Sequence, residues 1–152
     1  MLVRDVMVSN VRTVKKEDPV SVVAGIICTN RISGLPVVDA DNRLIGIVTE
    51  KNILNALLPS YSEFLDDPVL ARDFLTMENS YHDVLSRSVE SLMVKRVFSV
   101  SPDNFVLQAA SKMALHRIRR IPVVEDGDHL VGIVSLGDIH KAIFRRELRL
   151  AH

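Results

Sequence analysis

The chain has 152 residues, 47% of them hydrophobic, and its nineteen basic and nineteen acidic side chains cancel to zero net charge. That length supplies one core of ordinary size, and without a global positive field the chain is a poor match to a nucleic-acid backbone, whose capture depends on many phosphate contacts. Cys28 is the only cysteine, which excludes an intramolecular disulfide and a thiolate metal cluster and fits a reducing cytosol; no uncharged apolar stretch approaches the ~20 residues of a membrane span. The expectation is a soluble, cytoplasmic protein without membrane or nucleic-acid partners.

In chain order, "VRTV" (residues 11–14) predicts a brief strand, and "KKEDPVSVVAGIICTNRI" then carries apolar residues at helical spacing, with Val20, Val23 and Ile27 on one face. Asp18 stands where a short oxygen-bearing side chain caps a helix start, and Pro19 suits the first helical position. Cys28 reads as a small buried thiol on this helix. "LPVVDADNRLIGIV" reads as two β-branched runs joined by a turn, a hairpin or near-hairpin, and "TEKNILNALL" as a second helix. From Pro59 to Ser88, Leu70, Phe74, Met77, Tyr81 and Val84 recur at three- and four-residue steps and predict an amphipathic helix from about Asp67 to Ser86. It reads either as a packed connector or as a surface that meets a second subunit.

The rest of the chain repeats this plan. Residues 3–58 slide onto 89–144 by 86 positions without a gap, and 18 of the 56 aligned positions are identical, among them Met7 with Met93, Pro36 with Pro122 and Gly46 with Gly132. "VFSV" is the second short strand, Val106, Ala109 and Met113 share a face of the helix that follows, Asn104 takes the place of Asp18, and "IPVVEDGDHLVGIV" and "SLGDIHKAIFRRELRL" supply hairpin and final helix. The fold class is therefore α/β (α+β), two pseudo-symmetric β-α-β-β-α repeats packed through their sheets. They span residues 1–58 and 88–152, with a helical connector at 59–87.

The strand-to-helix junction is written twice, as "GIVTEKN" (46–52) and "GIVSLGD" (132–138). Ser135 with Asp138 fits a capping box, Thr49 with Asn52 a weaker version, and Gly46 and Gly132 let a strand bend or approach its neighbour closely. The same geometry suits a ligand. Free helix amides and the Ser135 hydroxyl can face a phosphate, and Asp138 can accept from both hydroxyls of a ribose. Asn52 offers one acceptor beside a donor group, so the first copy is the weaker site, empty or tuned differently. The five histidines show no metal-ligand spacing, and the glycines form neither GxGxxG nor a P-loop, so neither an enzyme nor a metal site is expected.

These paired patterns, "GLPVVDADNRLIGIVTEKNI" and "RIPVVEDGDHLVGIVSLGDI", resemble a tandem pair of cystathionine-beta-synthase (CBS) domains, a Bateman module. The resemblance implies two clefts between the repeats and an adenosine-containing ligand: AMP, ADP, ATP or S-adenosylmethionine. It implies no required cofactor, a homodimer arranged as a flat disc, and a stand-alone regulator acting in trans on a separate protein target. In that family Gly132, Ser135 and Asp138 match the ribose-phosphate motif. Arg119 and Arg120, before the strand at Ile121, match basic residues that reach phosphates, which leans the ligand toward a nucleotide; a solvated basic helix end is the alternative reading. Ser99, Val100, Ile121, Pro122 and Val123 would wall an adenine. Gly46, Thr49, Asn52, Leu35 and Pro36 are their counterparts in the weaker copy. A ligand-free dimerisation scaffold is the competing function, and the tail "KAIFRRELRLAH" is either a helix over the core or a basic amphipathic surface.

Overall fold

Two hairpins organise the chain. The computed structural model describes residues 1–58, 61–69 and 73–151. In it β1 (Gly34–Val38) pairs with β2 (Leu44–Thr49), and β3 (Arg120–Glu125) pairs antiparallel with β4 (His129–Ser135). The β3–β4 register sets Arg120 opposite Ser135 and slips once, between Val123 and Val124. Around the sheets lie α1 (Val20–Asn30), α2 (Glu50–Asn55), α3 (Tyr61–Asp66), α4 (Phe74–Asn79), α5 (Tyr81–Ser86), α6 (Val89–Leu92), α7 (Val106–Leu115) and α8 (Leu136–Glu147). The segments expected as short strands contribute one bridging residue each. Val14 pairs in parallel with Val37 on β1, and Val100 with Val123 on β3.

The chain divides into two compact units that exchange their leading segments. One unit holds residues 1–12, 40–44 and 97–152; the other holds 13–39 and 45–96. In the β3–β4 unit, Val3 N–H donates to Asn104 O at 2.9 Å, Arg4 N–H to Pro102 O at 3.1 Å and Val106 N–H to Met1 O at 3.2 Å, and Val8 and Ile133 exchange bonds of 2.9 and 3.0 Å. Shifted by 86 residues, the same bonds hold the β1–β2 unit. Val89 N–H donates to Asp18 O at 2.8 Å, Glu90 N–H to Lys16 O at 3.0 Å and Val20 N–H to Arg87 O at 2.8 Å, and Val94 and Ile47 exchange bonds of 2.8 and 3.0 Å. Arg4 also forms an ion pair with Asp103.

Each unit has its own core, which corrects the single core expected from chain length. Val3, Val100, Val106, Ala109, Met113, Ile121, Val123, Val134 and Ile139 cluster in one. Val14, Val20, Val23, Leu35, Val37, Val48, Ile53, Val84 and Val89 cluster in the other. The glycines expected to permit a close approach do so. A Cβ on Gly132 would lie 2.7 Å from Met7 Sδ and 3.1 Å from Val8 O, and one on Gly46 would lie 2.9 Å from Met93 Sδ and 3.0 Å from Val94 O.

Three expectations need correction. Asp18 and Asn104 do not cap their helices: Asp18 Oδ2 accepts from Lys15 N–H at 2.8 Å and Asn104 Oδ1 from Ser101 N–H at 2.9 Å, closing the preceding turn. The first helical amides, Val20 and Val106, are taken instead by the backbone carbonyls of Arg87 and Met1, so exchanged chain replaces a side-chain cap. The single helix expected over 67–86 is two, α4 and α5. Asp73 starts α4 by accepting from Thr76 N–H at 3.1 Å, and the Ser80 hydroxyl bonds back to Thr76 O at 2.8 Å where that helix stops. Of the residues in that expected stripe, Val84 is buried, Phe74 is 68% exposed, and Leu70 lies outside the described residues. Cys28 is exposed, because it turns off the Val20–Val23 stripe that α1 buries.

The Asp73 carboxyl is held below its ordinary value by the Thr76 side-chain hydrogen bond first and the Thr76 amide second. The cap therefore stabilises α4 above the unfolded value of about 3.9 and is lost as pH falls through the lowered one. A carbon-detected NMR titration should find Asp73 titrating below that value, and Thr76→Val should move it upward. Gly132→Ala should lower stability in urea by ~1–3 kcal/mol through overpacking. A double-mutant cycle should find that cost smaller when Met7 is already Ala.

Candidate functional site

β4 runs directly into α8, so the strand register fixes what stands at the helix start. Ser135 is extended, with φ −104° and ψ 156°, and its Oγ accepts from Asp138 N–H at 3.1 Å while donating to Asp138 Oδ2 at 2.5 Å. Leu136 N–H is taken by Arg119 O at 2.9 Å. Among the described residues, Gly137 N–H has no acceptor and Asp138 Oδ1 has no donor. A free amide, a hydroxyl and a spare carboxylate oxygen thus share one half-buried helix start. Arg120 stands opposite Ser135 in the sheet; Arg119 and Arg120 are both exposed, and no carboxylate among the described residues pairs with either guanidinium. Together these groups can accept from a diol and donate to an anion.

The first copy spends the same geometry on itself. Thr49 Oγ1 accepts from Asn52 N–H at 3.2 Å, and Asn52 Oδ1 accepts from both Thr49 N–H and Thr49 Oγ1 at 2.9 Å. This is the complete reciprocal box, so the expectation that it is the weaker one is overturned. Asn52 has a single acceptor atom, which Thr49 satisfies; Asp138 has two oxygens, one of them without a donor among the described residues.

The remaining candidates are placed less simply. Val100, Ile121 and Val123 have their side chains in the core, at 6%, 0% and 0% exposure, and Pro122 is buried, so what these four can offer a ligand is mainly backbone. Leu35 and Pro36 are buried in the same way. Ser99 is half-buried, and its carbonyl accepts from Lys112 Nζ at 2.7 Å beside a Phe98–His116 ring stack at 3.6 Å. The sequence reading missed Lys112, Phe98 and His116. Their only signal lay in comparing the copies, which carry Ile26, Arg12 and Asn30 at the matching positions. Among the described residues no three His, Cys, Asp or Glu side chains group to hold a metal, and no helix is long and apolar enough to cross a membrane.

Comparison with known proteins returns a CBS domain match at residues 3–59 and again at 89–145. The chain belongs to the CBS domain family. Uncharacterized protein MJ1426 of Methanocaldococcus jannaschii is 31% identical over 94% of this chain and 91% of its own length. The CBS domain pair of protein MJ0100, solved in complex with 5'-methylthioadenosine and S-adenosyl-L-methionine, is 26% identical with a TM-score of 0.72, covering 96% of this chain and 98% of that one. CBSX2, solved in complex with AMP, shares the fold at 24% identity and a TM-score of 0.73, with 96% and 98% covered. Relatives named as enzymes are far longer, and this chain spans 24% of one and 22% of another. A CBS pair is a regulatory ligand-binding module, and that is the class to which this one belongs.

The two junctions should answer alanine differently. Asn52→Ala removes the partner of a backbone amide and should cost ~1–2 kcal/mol as a lost cap, whereas Asp138→Ala removes only a hydroxyl–carboxylate bond and should cost less. Urea unfolding of the two variants gives the comparison.

Proposed function

We propose that this CBS pair senses an adenosine nucleotide, AMP, ADP or ATP, at the start of α8 and passes the occupancy to a separate protein in trans. The observation that carries the reading is the Asp138 carboxylate, tied to Ser135 through one oxygen and free at the other among the described residues. In the bound state the Ser135 hydroxyl turns from Asp138 Oδ2 and, with the Gly137 amide, donates to the first phosphate, Asp138 accepts from the ribose hydroxyls, and Arg119 and Arg120 reach the outer phosphates by charge-assisted bonds. Gly132 keeps the strand close to Met7, which sets the position of Ser135. Ser99 and the backbone around Val100, Ile121, Pro122 and Val123 border the base.

The matching set in the first copy, Gly46, Thr49, Asn52, Leu35 and Pro36, binds weakly or not at all, because Asn52 has no spare acceptor. S-adenosylmethionine is the second reading, favoured by the ligands of the MJ0100 pair. The module works as a homodimer that changes its inter-subunit angle on binding, needs no cofactor and catalyses nothing. An exposed free thiol at Cys28 fits a reducing, cytoplasmic setting.

Isothermal titration with AMP, ADP, ATP and S-adenosylmethionine tests the reading. Saturable nucleotide binding should weaken by at least ~10-fold in Asp138→Ala, as expected when a ligand hydroxyl loses a charged acceptor. Arg119→Ala with Arg120→Ala should weaken ATP more than S-adenosylmethionine. No binding of any nucleotide, with the fold intact, would return the module to a scaffold role.

A further inference from the structure

Of the five methionines, only Met7 and Met93 stand at matching places in the two copies, and each lies on a strand glycine that also recurs. A Cβ on Gly132 would sit 2.7 Å from Met7 Sδ and 3.2 Å from Met7 Cγ, and one on Gly46 would sit 2.9 and 3.3 Å from the same atoms of Met93. The thioether therefore fills the space that any other residue would need for its own side chain. Met7 and Met93 are half-buried, whereas Met113 is fully buried in its core. The side chains that seat on β4 and β2 are thus ones that solvent reaches in part.

Oxidation of that sulfur changes what the contact can hold. A sulfoxide adds a strong hydrogen-bond acceptor to an apolar side chain. At Gly132 the other nearest atom is Val8 O, 3.1 Å from the Cβ position, which is an acceptor too. The contact offers the new oxygen neither room nor a donor, so the side chain has to turn its sulfur off the glycine toward water. Next along the chain, Val8 and Ile133 exchange hydrogen bonds of 2.9 and 3.0 Å that lie against this contact. Ser135 follows Gly132 by three residues and starts α8, so whatever loosens β4 loosens the helix start.

We propose that Met7 is an oxidation-sensitive latch: a peroxide converts it to the sulfoxide, the segment around Val8 lets go of β4, and the start of α8 loses its fixed position. In the chemical step a sulfur lone pair attacks one oxygen of hydrogen peroxide, the O–O bond breaks, and water leaves as the sulfoxide forms. A dithiol reverses it, becoming a disulfide as the sulfoxide oxygen departs in water. Met93 acts in the same way on Gly46 and β2. The consequence for nucleotide binding rests on the proposed function; the latch itself does not.

Hydrogen exchange of the full chain, read by NMR before and after hydrogen peroxide, tests the proposal, with mass spectrometry locating the added oxygen. Cys28→Ser is present in every sample so that the exposed thiol takes no oxidant. Met7 and Met93 should gain oxygen before Met113, and the Val8 and Ile133 amides should then exchange at least ~10-fold faster. Met7→Leu, close in volume and without sulfur, should keep its own untreated rates at those amides, and a methionine sulfoxide reductase with a dithiol should restore them in the parent. AMP affinity of the parent should fall at least ~10-fold on oxidation, as the helix start loses its position. Should Met7→Leu fail to fold, Met93→Leu gives the same comparison at Ile47 and Val94. A Met7 that stays reduced after Met113 is oxidised overturns the latch, and so do unchanged rates at Val8 and Ile133 in the oxidised protein or equal acceleration in Met7→Leu. Accelerated exchange with AMP affinity unchanged overturns the coupling to the site. An untreated chain that binds no nucleotide overturns the proposed function and that coupling, while the exchange rates still decide the latch.

Discussion

The reciprocal bonds of Val8 with Ile133 and of Val94 with Ile47 are the constraint on which the rest depends. A two-stranded sheet is marginal by itself and leaves both edges open. Here one edge of each hairpin is met by the single-residue bridge at Val14 or Val100, and the other by a segment drawn from the opposite repeat. Those segments also fill the cores, since Val3 and Val89 are fully buried. Neither repeat therefore completes a unit with its own contiguous residues.

That constraint also sets the candidate site. With Met7 against Gly132 and Val8 bonded to Ile133, β4 is fixed a few residues before Ser135, and the helix start inherits its position. Within that frame the two junctions differ in hydrogen-bonding capacity at one side chain. An amide oxygen satisfied by Thr49 closes the first. A carboxylate shared with Ser135 leaves its second oxygen without a donor among the described residues. On the proposed function, stability and recognition compete for the same atoms, and the two copies resolve the competition in opposite ways.

Periodicity was a good guide where a helix faces a core. Val106, Ala109 and Met113 are all buried, as are Val20 and Val23. It failed in the connector, where the same three- and four-residue spacing spans two short helices that leave Phe74 exposed. Spacing reports what a continuous helix could bury; the oxygens of Asp73 and Ser80 bind local backbone and break that continuity. Arg119 and Arg120, where β3 begins, were legible as charge, but the register that brings Arg120 opposite Ser135 was not.

By itself the sequence determined the duplication, the two hairpins, the helix faces and the paired junctions, because each is written in short-range patterns of side-chain type. Only the tertiary structure decided which repeat covers which sheet edge, what caps α1 and α7, and which junction keeps an acceptor free. Those outcomes rest on backbone bonds such as Val3 to Asn104 and Val20 to Arg87. A backbone amide or carbonyl is the same whichever side chain it carries, so a pairing across a hundred residues leaves no mark on the local sequence.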